Sequence, residues 1–230
     1  MTGSVVSRFR ISVFASACLI GGLAAWMLVP ELIYPAAVGF PTDPQSAASI
    51  YAHRGAATTA AKIGLVRGDL WTRAAFAYAD RLWNVDPHTS STDELLLEQT
   101  RTLTVRALSH APHDSRLWLL LAATYLRFGQ PGDVASAALR MSYYTGSNAI
   151  ELVPGRLPQA LQIQATQDED FRELVRHDIQ IAVIHKAELM PTIVAAYRDA
   201  PLSGRQLVEK TLAELDPSLL ASIRLQGQSR

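Results

Sequence analysis

The chain has a single cysteine, Cys18, among its 230 residues, so it can form no internal disulfide and holds no CxxC metal or redox motif. It has no surplus of charge either: 21 Lys and Arg balance 21 Asp and Glu. Proteins that bind nucleic acid usually carry a basic surplus, so no nucleic-acid partner is expected. Aromatic residues make up 7% of the chain, and no stretch alternates apolar and polar positions over a full strand length. Ala and Leu dominate the 49% of hydrophobic residues, while the β-branched residues that strands favour are comparatively scarce. These deficits predict an all-α chain, with length for one ordinary domain plus an anchor.

Signatures of catalysis are missing too. HExxH, GxSxG, a P-loop and GxGxxG do not occur. Of the six histidines, His110 and His113 stand closest together, beside Asp114, but they straddle a predicted helix end at Pro112. A helix C-cap and loop is the ordinary reading there. His177 and His185 are eight apart, longer than zinc ligands on one helix favour. Asp168-Glu169-Asp170 stands at a predicted helix start, where carboxylates complement the helix dipole. No nucleophile, base and orienting group fall together. The chain therefore reads as a non-enzyme, with no catalytic residue, metal ligand or cofactor site assigned.

What the sequence does contain begins near its N-terminus. Ile11 to Val29 form 19 consecutive positions without a charge. At about 1.5 Å per residue, such a helix nearly matches the roughly 30 Å hydrocarbon core of a bilayer. Arg8 and Arg10 precede the run, and the next basic residue is Arg54. That bias keeps residues 1–10 in the cytoplasm and sends the rest across the inner membrane, as a single-pass protein with a periplasmic or other extracytoplasmic domain. A cleaved signal peptide is the alternative, although its apolar region is usually about 7–15 residues and the small-residue site Pro35-Ala36-Ala37 lies late. A lipobox at Ala15-Ser16-Ala17-Cys18 lacks the leucine usual three residues before the cysteine.

Pro30, Pro35, Pro41 and Pro44 mark residues 30–45 as an extended tether. Helical patterns follow over 46–63, 69–83 with Asp69 as N-cap, 93–110, 115–128 and 133–144. Residues 46–146 thus form one helical region. Residues 147–158 carry Pro154, Gly155 and Pro158 and no clear period. Helices return over 158–166, 168–186, 190–199, 203–215 and 217–225, which makes 147–230 a second helical region. In it Phe171, Leu174, Val175, Asp178, Ile181 and Ala182 follow i, i+3, i+4 spacing.

Trp71-x3-Ala75-x2-Tyr78 recurs as Trp118-x3-Ala122-x2-Tyr125, 47 residues later. Positions 0, 4 and 7 share a helical face, so a small residue between two rings lets a neighbouring helix approach closely. The second copy resembles a tetratricopeptide repeat, whose first helix reads W-x2-L-G-x2-Y. Here Trp118, Leu121, Ala122 and Tyr125 occupy those places, with Ala for Gly. Ala135 and Leu139 stand one residue late for the second helix, Ala107-Leu108 match the end of a preceding repeat, and Pro112 lies six before Trp118. The first copy has Ala74 for Leu and Ala75 for Gly. The resemblance spans about residues 67–146, its 47-residue period exceeds the usual 34, and the 84–92 loop is the insertion. It implies a helical-repeat domain that binds a protein partner; with the anchor, the chain reads as an envelope scaffold or assembly factor, the alternatives being an accessory subunit of a membrane complex for polysaccharide export or secretion, or an envelope enzyme of unfamiliar family.

Overall fold

The computed structural model describes residues 2–34, 52–79, 82, 91–129, 132–163 and 168–228, and these contain helices and no strand. The first helix, α1 (Thr2–Ile33), starts ahead of the predicted run and continues past Val29. Its segment Phe9–Ile33, 25 residues containing an 18-residue window of mean hydropathy 2.0, is long and apolar enough to cross a membrane. A membrane anchor and a signal sequence both meet that description. Pro30 lies inside the helix and offers no N–H to the Trp26 carbonyl, yet its own carbonyl accepts from the Tyr34 N–H at 2.9 Å. The predicted tether is therefore helical over 30–33. Pro35, Pro41 and Pro44 lie outside the described residues.

Among the described residues, five helices follow up to Thr145: α2 (Arg54–Gly64), α3 (Gly68–Phe76), α4 (Ser91–His110), α5 (Ser115–Arg127) and α6 (Gly132–Thr145). From α1 to α6 each helix packs mainly on its chain neighbours, the α5–α6 hairpin most closely. A 3-10 turn (Ile150–Leu152) leads into α7 (Val153–Gln162), α8 (Glu169–Ile184), α9 (Lys186–Asp199), α10 (Leu202–Leu215) and α11 (Pro217–Gln228). Here pairing leaves chain order: α7 lies against α9 and α10, α8 against α10, and α9 against α11. One apolar core runs through both parts, from Tyr34 to Ile223.

Three boundaries differ from the sequence pattern. Asp69 is not the cap of α3; Arg67 occupies the N-cap position, and the Asp69 carboxylate instead receives the Arg67 guanidinium at 2.6 Å. Helix α3 stops at Phe76, with turns at Ala77–Ala79, rather than reaching Trp83, which lies outside the described residues. Helix α7 begins at Val153, inside the stretch that shows no period. Pro154 is tolerated there because a first-turn residue has no helical acceptor to lose. At α8 the acidic start behaves as read, with Asp168 as the N-cap accepting from the Asp170 N–H at 2.9 Å.

Candidate functional site

Two helix starts 47 residues apart share one geometry. The residue before each helix is extended alike, Arg67 at φ −82, ψ 100 and Asp114 at φ −78, ψ 102. Arg67 N–H donates to the Gly64 carbonyl at 3.0 Å and Asp114 N–H to the Ala111 carbonyl at 3.1 Å. One turn on, Leu70 and Leu117 donate to Arg67 and Asp114 at 3.2 and 3.1 Å. Each indole then ties the turn to the helix. Trp71 Nε1 donates to the Leu65 carbonyl at 2.8 Å, and Trp118 Nε1 to the Pro112 carbonyl at 2.7 Å, both six residues back.

Both helix starts also make a close approach to the end of the next helix. A Cβ on Gly68 would stand 3.2 Å from the His110 Cβ, and one on Gly146 would stand 2.7 Å from the Ser115 Cβ. In the first hairpin the glycine opens α3; in the second it follows α6 and meets the residue that opens α5.

The residues of the repeated motif fall into one core. Ala75, Ala122, Ala135 and Leu139 are fully buried, and Trp71 and Leu121 nearly so. Tyr78, Trp118 and Tyr125 are half-buried and pack against that core. Trp71 stacks on His110 with centroids 6.4 Å apart, and the Arg106 guanidinium lies over the indole. His110 is thus part of the seam. Among the described residues no three His, Cys, Asp or Glu side chains are grouped as metal ligands would be.

A cleft of about 360 Å³ opens where the second hairpin meets the C-terminal helices. Helix α5 contributes Ala123, Leu126 and Arg127, and α7 contributes Pro154, Pro158, Gln159 and Gln162. Its lining is mixed, the apolar side chains of Leu126, Pro154 and Pro158 standing beside the polar ones of Arg127, Gln159 and Gln162. Gln159 Oε1 is buried with no hydrogen-bond partner among the described residues. Pro158 has no N–H for the Pro154 carbonyl four residues back. At the rim, Arg127 reaches the Leu82 carbonyl at 3.4 Å, and partial burial pulls its guanidinium below its usual pKa. Two other clefts are walled by charge: one of about 390 Å³ holds Glu169, Arg172, Arg176 and Lys210, the other of about 270 Å³ holds Glu98, Arg101 and Tyr125.

Behind the cleft wall lies a polar cluster that sequence patterns do not reveal. Arg156 of α7 and Asp178 of α8 are both fully buried, with Nε and Oδ2 3.7 Å apart. Arg156 also donates to the Gly146 and Ala149 carbonyls at 3.0 and 2.9 Å, and its guanidinium lies 4.8 Å from the centroid of the Tyr143 ring. Burial raises the Asp178 carboxyl to about 6, although Arg156, Tyr143 and His177 all act to lower it. Burial likewise lifts the Tyr143 phenol well above its usual range. Neither Asp178 oxygen has a hydrogen-bond partner among the described residues. The cluster fastens α6, α7 and α8 together.

What these features define is an all-helical chain with one apolar N-terminal helix and two tandem hairpins that start alike. No protein-family model matches the chain, and no curated protein or solved structure is similar to it.

Proposed function

We propose that this chain is a membrane-anchored scaffold or assembly factor of the bacterial envelope, which binds a short segment of a protein partner in the cleft between α5 and α7. In this reading α1 spans the inner membrane, Arg8 and Arg10 hold its start in the cytoplasm, and the helical domain stands outside. The paired hairpins are tetratricopeptide-like units, and the matching indole bonds of Trp71 and Trp118 support that reading. The observation that carries it is the unmatched acceptor Gln159 Oε1 beside the Leu126, Pro154 and Pro158 walls. A peptide group supplies both a donor and an acceptor, so it satisfies this amide whichever way the amide is turned. Leu126, Pro154 and Pro158 take a side chain next to it. Tethering raises the effective concentration of a membrane-resident partner, so modest affinity suffices.

A second reading, lateral packing of the anchor in a larger membrane complex, has its own observation. Gly21 and Gly22 have nothing within 4 Å of where a Cβ would stand, which leaves that face open to another helix.

The test is site-specific photo-crosslinking of the full-length protein in its host, with the crosslinker at Ala123 or Gln162 and, for comparison, at exposed Leu225. The cleft positions should give a discrete protein adduct that Leu225 does not. Equal labelling at all three positions, or none at the cleft, overturns the cleft as the binding site.

A further inference from the structure

Helix α1 is bare over residues 9–25, where every residue is exposed. Protein first covers it at Trp26, whose Nε1 donates to the Ile63 carbonyl at 3.0 Å. At the next residue Arg67 donates to the Met27 carbonyl at 3.1 Å, and a turn beyond it pairs with Glu31. Arg73 reaches the same carboxylate at 2.8 Å and the Tyr34 carbonyl at 3.2 Å. The turn joining α2 to α3 is therefore pinned to the side of α1 at the height of residues 26–31.

That turn carries an unusual surface. Leu65 and Val66 are 57% and 70% exposed, and outside α1 they are the only adjacent pair of exposed large apolar residues among the described residues. Scattered single apolar residues are ordinary on a protein surface; a neighbouring pair on a tip needs a reason. Leu65 also holds φ 41, a left-handed backbone that a leucine seldom adopts. Its carbonyl is held by Trp71, so the tip is rigid. Lys62, one helical turn earlier, is exposed as well.

We infer that this turn is a second membrane contact, in which Leu65 and Val66 enter the boundary between headgroups and acyl chains beside the anchor. The inference rests on reading α1 as a span. Counted from Arg10 at about 1.5 Å per residue, a hydrocarbon layer of roughly 30 Å ends near Pro30. Trp26 to Val29 then lie at the outer boundary, and the pinned turn lies at the same depth. Lipid that surrounds the bare face of α1 continues onto Leu65 and Val66, with no protein between. The Lys62 ammonium reaches up to anionic headgroups from an apolar stem, as interfacial lysines do. The domain is thus seated on the bilayer in one orientation, with its partner-binding surface at a fixed angle to the membrane.

The experiment uses the full-length chain with Cys18→Ser, reconstituted in vesicles of phosphatidylcholine and phosphatidylglycerol in a ratio of about 3:1, a composition that supplies the anionic surface. An environment-sensitive fluorophore is placed at Val66→Cys, at Ile20→Cys in mid-anchor, or at Leu225→Cys, another exposed apolar position. Doxyl-labelled lipids then quench it from shallow or deep positions in the acyl chain. The Val66 label should be quenched several-fold more strongly by shallow than by deep doxyl lipid, and several-fold more than the Leu225 label. The Ile20 label should respond most to deep doxyl lipid. If Ile20 responds and Val66 behaves like Leu225, the membrane contact of the turn is overturned while the anchor stands. If Ile20 itself is not quenched, the spanning helix and the contact both fall.

Discussion

The two halves of the domain are held together by different means. From α2 to α6 the helices close on one another through alanines, with Ala57, Ala60, Ala61, Ala74, Ala75, Ala107, Ala122 and Ala135 fully buried. Each indole in that half binds its own preceding turn, and single side chains tie neighbouring elements, Thr100 to the Tyr78 carbonyl and Ser142 to the Ser115 carbonyl. From α7 onward the core is apolar as well, and the half is joined to α6 through Tyr143, Arg156 and Asp178 at full burial. Close approach of small residues tolerates little added volume. A buried ion pair tolerates little loss of either partner. The two halves should therefore fail under opposite kinds of substitution.

The largest effect belongs to Arg156. Replacing it by methionine keeps most of the side-chain volume but leaves the Gly146 and Ala149 carbonyls without donors and Asp178 without its cation. Removing one partner of a buried pair usually costs about 3–5 kcal/mol. Arg156→Met should lose that much at pH 8, by chemical unfolding of the full-length chain in detergent followed by circular dichroism. At pH 5 the loss should be smaller, because the orphaned carboxyl can then hold a proton. A loss that is the same at both pH values would mean Asp178 does not feel its partner.

The wild-type chain should show the same carboxyl in its pH profile. The Asp178 pKa rises from an ordinary 3.8 to about 6 on folding, so the folded chain binds the proton more tightly. Between those two values the folded state is protonated and the unfolded state is not. Stability from this group is therefore full below about 3.8, falls as pH rises through that window, and is flat above about 6. The whole change is about 3 kcal/mol, from the size of the shift. Asp178→Asn should remove the slope. A wild-type profile that rises across the window would refute the assignment.

The difference between the halves also decides what a reader of the sequence can see. The repeated Trp-x3-Ala-x2-Tyr is visible because a helix face is fixed by spacings of four and seven, and the shared geometry at Arg67 and Asp114 follows from the same local register. The charge-free run is visible because its 19 uncharged positions are consecutive. Asp178 stands on the apolar face of α8 in the sequence pattern, but nothing near it names its partner. Arg156 lies in Pro154-Gly155-Arg156-Leu157-Pro158, where two prolines hide the helix, and Tyr143 comes from the hairpin before it. Three residues from three helices meet only once the fold exists. The Glu31 contacts with Arg67 and Arg73 are non-local in the same sense, 36 and 42 residues apart, so the sequence around Pro30 shows only prolines and reads as a tether.

The smallest effect tests the alanine half. Ala122 is fully buried on α5 between the two half-buried rings Trp118 and Tyr125, and Ala137 is exposed on α6. Leucine adds three heavy atoms. At position 122 they must displace the neighbouring helix or force strained rotamers, and overpacking of that kind costs about 1–3 kcal/mol. At position 137 they enter solvent, and leucine and alanine are both good helix formers, so Ala137→Leu should change stability by no more than about 0.5 kcal/mol. Measured side by side in the same detergent, the two variants isolate packing from helix propensity. The comparison extends to the other half: Ala122→Leu should lose the same amount at pH 5 and pH 8, since the added carbons alter packing and not charge, whereas Arg156→Met should not. Equal and negligible losses at positions 122 and 137 would mean that the seam is loose and the repeated motif carries no close helix approach.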